Sequence, residues 1–198
     1  MKKMLGFILV ALLCLGAFGC TGQKKDVLMY STDRNALTTP VGFSYNVDLG
    51  EKVAKATVTA EYWKAGQMVD YASLLLDDTT ETFSTTFDVA SLNEATEEKN
   101  VNLQMNVDSA VQEHHEVVMR QFLLPASVCG YTIDSHKGSE TLVIAPGDEI
   151  ILGGIAFDIG EGVTGIDKKG LIEAPNRLND YDCIIIVRAK FDFLLTWW

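Results

Sequence analysis

Val41-Gly42-Phe43-Ser44-Tyr45-Asn46-Val47-Asp48-Leu49 and Val101-Asn102-Leu103-Gln104-Met105-Asn106-Val107-Asp108 decide the fold, because each sets an apolar side chain at every second position with Gly, Ser, Asn, Gln or Asp between. Side chains along a strand point alternately to opposite faces, so this period turns one face to a core and the other to water. The pattern predicts half-buried antiparallel strands with Val47 and Leu103 facing inward. Ala54, Ala56, Val58, Ala60 and Tyr62 repeat it against Lys55, Thr57, Thr59 and Glu61. The glycine-containing turn Lys64-Ala65-Gly66-Gln67 then leads into Met68 to Leu76, which predicts a hairpin.

Working outward, further strands are expected at Phe83 to Val89, Val117 to Leu124, Val128 to Ile133, Thr141 to Ala145, Glu149 to Ile159 and Cys183 to Leu195, with Ala145-Pro146-Gly147-Asp148 as a turn. Together these make about ten strands. Between them only Ser91 to Lys99 and Asp108 to His115 read as short helices, so no βαβ unit can be assembled. The expected fold is all-β, an antiparallel β-sandwich of immunoglobulin-like or related type, over residues 41–198. Gly160 to Asp182 reads as a long irregular excursion rich in glycine and charge, of a kind that is functional or mobile in compact domains.

The N-terminal stretch MKKMLGFILVALLCLGAFGC opens with Lys2 and Lys3 and runs apolar from Met4 to Phe18. A membrane-spanning helix wants roughly 20 apolar residues, whereas this run ends sooner, at small residues, as a cleaved secretory signal does. Leu15-Gly16-Ala17-Phe18-Gly19-Cys20 resembles the lipobox of bacterial lipoproteins. Phe18 stands where that pattern has a small residue, and Ala17-Phe18-Gly19 is also a small-x-small site for simple secretion. The lipoprotein resemblance implies a signal peptide over residues 1–19, acyl chains on Cys20, an anchor and tether over residues 20–40 with a short strand near Val27 to Tyr30, and an extracytoplasmic domain held at a cell membrane or outer membrane.

The chain carries 16 basic and 27 acidic side chains for a net charge of -11, and of -13 once Lys2 and Lys3 leave with the signal. Phosphate backbones repel such a chain, so no nucleic-acid partner is expected. With Cys14 in the signal and Cys20 in the anchor, Cys129 and Cys183 are the remaining thiols, a candidate disulfide pair outside the membrane. Their strands predict that both point inward, and the alternative to a bridge is two buried free thiols.

Motifs that would carry catalysis are weak. Gly160-Glu161-Gly162-Val163-Thr164-Gly165, with Asp180 downstream, matches a dinucleotide fingerprint in letters, but Gly170 and Pro175 break the helix it needs and neighbouring carboxylates repel phosphate. Asp148, Glu149, Asp158, Glu161 and Asp167 lack the alternate spacing of a calcium loop. His114, Glu116 and His136 could serve a metal-dependent enzyme or hydrolase only if the fold assembled them with the acidic loop. No GxSxG nucleophile elbow is present. Trp63 and Tyr71 would suit a carbohydrate or peptide platform if they shared an outer face, whereas Tyr62, Phe83 and Phe87 read as core. The expected function is therefore a binding or envelope-assembly module for a peptide, glycan or partner protein, with no cofactor and no metal; the alternative is an envelope enzyme built on His114, Glu116 and His136.

Overall fold

The computed structural model describes residues 27–31, 41–49, 53–77, 80–89, 99–109, 115–135, 141–144, 147–160 and 165–193. Among the described residues eleven strands form two antiparallel sheets packed face to face, so the protein is an all-β sandwich. The six-stranded sheet has the order β7 (His115–Leu124), β6 (Lys99–Ser109), β5 (Thr80–Asp88), β2 (Val41–Asp48), β1 (Val27–Ser31) and β9 (Thr141–Ile144). The five-stranded sheet has the order β4 (Gln67–Leu76), β3 (Val53–Lys64), β11 (Cys183–Phe193), β10 (Glu149–Asp158) and β8 (Gly130–Ser135).

Alternation builds the core. Phe43, Tyr45 and Val47 of β2, Phe83 and Phe87 of β5, and Val101, Leu103, Met105 and Val107 of β6 meet Ala56, Val58, Ala60 and Tyr62 of β3 and the inward row of β11. Val47 and Leu103 are both buried as their register requires. Each aliphatic side chain withdrawn from water contributes about 1.5–3 kcal/mol. The Tyr45 hydroxyl donates to the Leu152 carbonyl across the sandwich at 2.6 Å, and Tyr62 of one sheet packs on Phe122 of the other with ring centroids 5.5 Å apart.

The hairpin between β3 and β4 turns at Ala65 and Gly66, both with positive φ (47° and 73°), the left-handed pair that matches the twist of two-residue hairpins. Gly66 is required twice over, since a Cβ there would meet the Asn179 side chain.

Three expectations change. The short strand expected near Val27 to Tyr30 is present as Val27–Ser31, but it pairs with both β2 and β9, so the sheet begins before residue 41, inside the segment read as tether. Lys99, Asp108, Ser109 and His115 are strand residues rather than helix ends; residues 91–98 and 110–114 lie outside the described residues. The excursion, where described, is ordered: α1 (Lys168–Glu173) and a 3-10 turn (Pro175–Asp180) lie against the outer face of the five-stranded sheet. Asp167 caps α1 by accepting from the Gly170 amide at 2.9 Å and holds Arg177 of the 3-10 turn at 2.6 Å. The Tyr181 hydroxyl donates to the Gly165 carbonyl at 3.1 Å, tying the ends of the segment together. Ile166, Leu171 and Leu178 thereby cover Ile151, Ala156, Ile184 and Ile186. A second apolar layer explains why Cys183 to Val187 are buried without alternation.

Candidate functional site

The two sheets end side by side at β4 and β7, where Arg120 of β7 grips Asp70 of β4 through Nε (3.0 Å) and Nη2 (2.6 Å). That fork holds the Asp70 carboxyl below the usual carboxylate range. On either side of this closure the outer faces of the two edge strands, which point to opposite sides of the sandwich, expose apolar side chains. Among the described residues nine large hydrophobic side chains are exposed, and seven of them lie on these two strands: Met68, Val69, Tyr71 and Leu75 on β4, and Val117, Met119 and Leu123 on β7. Scattered exposed hydrophobics need no explanation, whereas a row along one face of one strand, as Val117, Met119 and Leu123 make on β7, marks an interaction surface. Met119 is 71% exposed and Leu123 63%.

An edge strand also offers unpaired backbone N–H and C=O groups, which proteins blunt by shortness, bulges or charge. Two of the four sheet edges are short: β8 has 6 residues and β9 has 4. The third edge, β4, has 10 residues but bulges where its pairing with β3 slips between Tyr62 and Trp63, leaving Val69 as the extra residue. The fourth, β7, also has 10 residues and runs beside β6 from Lys99↔Leu124 to Asp108↔His115 with no register shift. It is the one long, regular edge among the described strands.

The face that continues from β7 over the six-stranded sheet is polar and largely uncharged. Thr82 donates to Asn46, Gln104 donates to Asn106, Asn106 to Ser84 and Gln121 to Asn102, with Asp48, Asp88 and Asp108 only at strand ends. Thr86, Asp88, Asn102, Gln104 and Met119 line a shallow depression of about 300 Å³ there. On the opposite side of the molecule, the part of the five-stranded sheet not covered by α1 carries Arg188, bonded to Glu149 at 2.7 Å and to Glu61 at 3.3 Å. Its charge is already answered, so the polar cleft it shares with Thr57, Thr59, Lys190 and Asp192 reads as a network that seals the sheet.

The residues singled out in the sequence separate. Cys20, His114, His136 and Glu161 lie outside the described residues. Glu116 is half-buried on β7, paired with Val107 in the ladder, and its carboxylate has no hydrogen-bond partner among the described residues. Asp167 serves as a helix cap and Asp158 accepts from the Gly160 amide at 2.8 Å; no group of three metal-ligating side chains occurs among the described residues. Trp63 and Tyr71 do share the outer face of the five-stranded sheet by register, but Trp63 packs under the excursion and bonds Glu61 at 2.9 Å, leaving Tyr71 alone exposed. Tyr62, Phe83 and Phe87 are core, as expected.

The expected disulfide is corrected. Both thiols are free, with Cys183 buried and Cys129 exposed. Cys183 of β11 faces Phe157 of β10, while Cys129, just before β8, donates its amide to the Asp158 carbonyl on the other side of β10. Two strand spacings, about 9 to 10 Å, therefore separate them, beyond the roughly 4.4 to 6.8 Å that a bridge allows. Cys183 receives a contact from the Tyr62 hydroxyl at 3.8 Å, and burial raises the pKa of both groups.

Sequence reasoning missed Met119 and Leu123 as surface residues. The signal was present: in Val117-Val118-Met119 both faces of the strand are apolar, which a half-buried strand does not need. No helix among the described residues is long and apolar enough to cross a membrane. Comparison with protein families, with curated proteins and with solved structures finds no match to this chain.

Proposed function

We propose that this protein is an extracytoplasmic docking module, held to a bacterial membrane by lipid on Cys20, that binds a protein partner along its β7 edge. The observation that carries the reading is the row of exposed apolar side chains Val117, Met119 and Leu123 on β7, along an unbulged strand edge. Such an edge accepts an extended segment by main-chain pairing, while alternate side chains supply apolar contacts. The signal-like N-terminus supports delivery to the envelope, and the net negative charge speaks against nucleic acid as the partner. In this account the alternative of an envelope enzyme would need Glu116 to meet His114 and His136 around a pocket. A glycan reading has one observation of its own, the depression of amide, hydroxyl and Asp88 carboxylate groups flanked by Met119.

Two measurements test the proposal. Cys20→Ala should shift the protein from the membrane fraction to the soluble one or leave an uncleaved precursor, and unchanged acyl labelling of that variant would refute the anchor. A photo-crosslinking side chain placed at Met119 or Leu123 in intact cells should give discrete protein adducts, with none from the same group at Lys190. Adducts at Lys190 alone would place the docking face elsewhere, and glycan retention abolished by Gln104→Ala would favour the sugar reading.

A further inference from the structure

The pattern of β7 read against itself names the kind of strand that fits it. Glu116, Val118 and Arg120 share the inward face of β7, facing Val107, Met105 and Leu103 of β6, while Val117, Met119 and Gln121 share the outward one. Val118 is partly buried against the core. Glu116 is unanswered among the described residues, and Arg120 spends only Nε and Nη2 on Asp70, leaving Nη1 to donate.

We propose that β7 pairs antiparallel with β7 of a second copy of this chain, Val118 opposite Val118, so that two six-stranded sheets become one continuous sheet. This rests on the reading of β7 as a docking edge and adds the occupant. In that register Glu116 stands opposite the partner's Arg120, and by symmetry Arg120 opposite the partner's Glu116. Opposite charges meet twice on one face. On the other face Val117 meets the partner's Met119, again twice, which covers the two most central apolar side chains of the exposed row. Two other registers fail on the same residues. Centring on Arg120 sets guanidinium against guanidinium, and directly opposed like charges destabilise a sheet. Centring on Met119 sets Glu116 opposite the partner's Phe122. An isologous contact of this kind closes on itself and needs no second patch, and tethering both copies to one membrane raises their effective concentration.

The experiment uses the full-length chain in membranes, in a Cys129→Ser background. Opposed residues of an antiparallel pair have Cα atoms about 4.5 to 5.5 Å apart, within disulfide range, so Val118→Cys should run as a cross-linked dimer after mild oxidation. Met119→Cys should not, because its own mate lies two residues away. Glu116→Arg alone and Arg120→Glu alone should each remain monomeric, with folding checked by circular dichroism, and the two variants mixed should pair. A monomeric Val118→Cys protein, a dimer unaffected by Glu116→Arg, or a failed mixture each overturns the inference. If the chain is monomeric while Met119 still photo-crosslinks a different protein, the second copy is wrong and the docking edge stands; if Met119 yields no adduct of any kind, both fall.

Discussion

Strands β11 and β7 both depart from alternation, and the molecule answers them differently. In β11 the outward residues Ile184 and Ile186 are covered by Ile166, Leu171 and Leu178 from the excursion, so both faces are dry. In β7 the outward residues Val117, Met119 and Leu123 carry the same chemistry, and no described element covers them. Apolar side chains on the second face of a strand cost solubility without contributing to its own sheet. Where the chain supplies a cover, the pattern is a matter of folding; where it supplies none, the pattern points to a partner. The comparison also separates two cleft-like surfaces. The Arg188 network beside the covered part of β11 pairs charge with charge, whereas the face beside β7 is built of neutral amides and hydroxyls with carboxylates only at its strand ends.

The comparison breaks most sharply at Ile186 and Met119. Ile186→Asp would bury a charge between the sheet and its cover and should unfold the domain, a loss beyond about 4 kcal/mol, while Met119→Asp should stay within about 0.5 kcal/mol of the parent. Urea titration followed by circular dichroism measures both, and a folded Ile186→Asp protein would mean that the excursion is not a true second layer. Ile186→Ala should cost about 2–5 kcal/mol, depending on how far the cover collapses into the space.

A second test separates the thiols on either side of β10. Cys129 should alkylate readily in the native protein, and Cys183, buried with its pKa raised, should label only on unfolding. Peptide mapping after timed alkylation reads the difference. Comparable rates at both sites would remove Cys183 from the core.

The cover itself should respond to acid. Arg177 and the Gly170 amide lower the pKa of Asp167 in the fold, so the stabilisation is fully present above the ordinary carboxylate pKa, near 4, and is lost as pH falls through the lowered folded value. Local hydrogen exchange of residues 165–182 should therefore quicken below about pH 4, with Asp167→Ala already fast at neutral pH. The same sign holds for Asp70 with Arg120 at the β4 and β7 closure, where exposure keeps the effect small. A cover whose exchange ignores both pH and Asp167→Ala is held by its apolar contacts alone.

Much of this architecture is legible in the chain because period-two patterning is a local consequence of strand geometry. Val41 to Leu49, Val101 to Asp108 and the turn at Ala65-Gly66 read correctly for that reason. The excursion misled because its helix is only 6 residues long and owes its order to Asp167, Arg177 and Tyr181 meeting across the segment. The Cys129 and Cys183 pairing misled because sequence does not reveal that β10 lies between their strands. The candidate site hid in plain composition: apolar residues on both faces of β7 resemble those of β11, and only the sheet order shows which strand stands at an edge.

Backbone exchange at β7 tests the central claim most directly. If the free edge of β7 is occupied in the membrane-bound protein, hydrogen exchange of peptides covering residues 115–124 should be as slow as that of the interior strand β6. Dilution of the solubilised chain should release that protection while leaving β6 unchanged. Exchange at β7 as fast as at the bulged edge β4, in membranes at native abundance, would contradict the account.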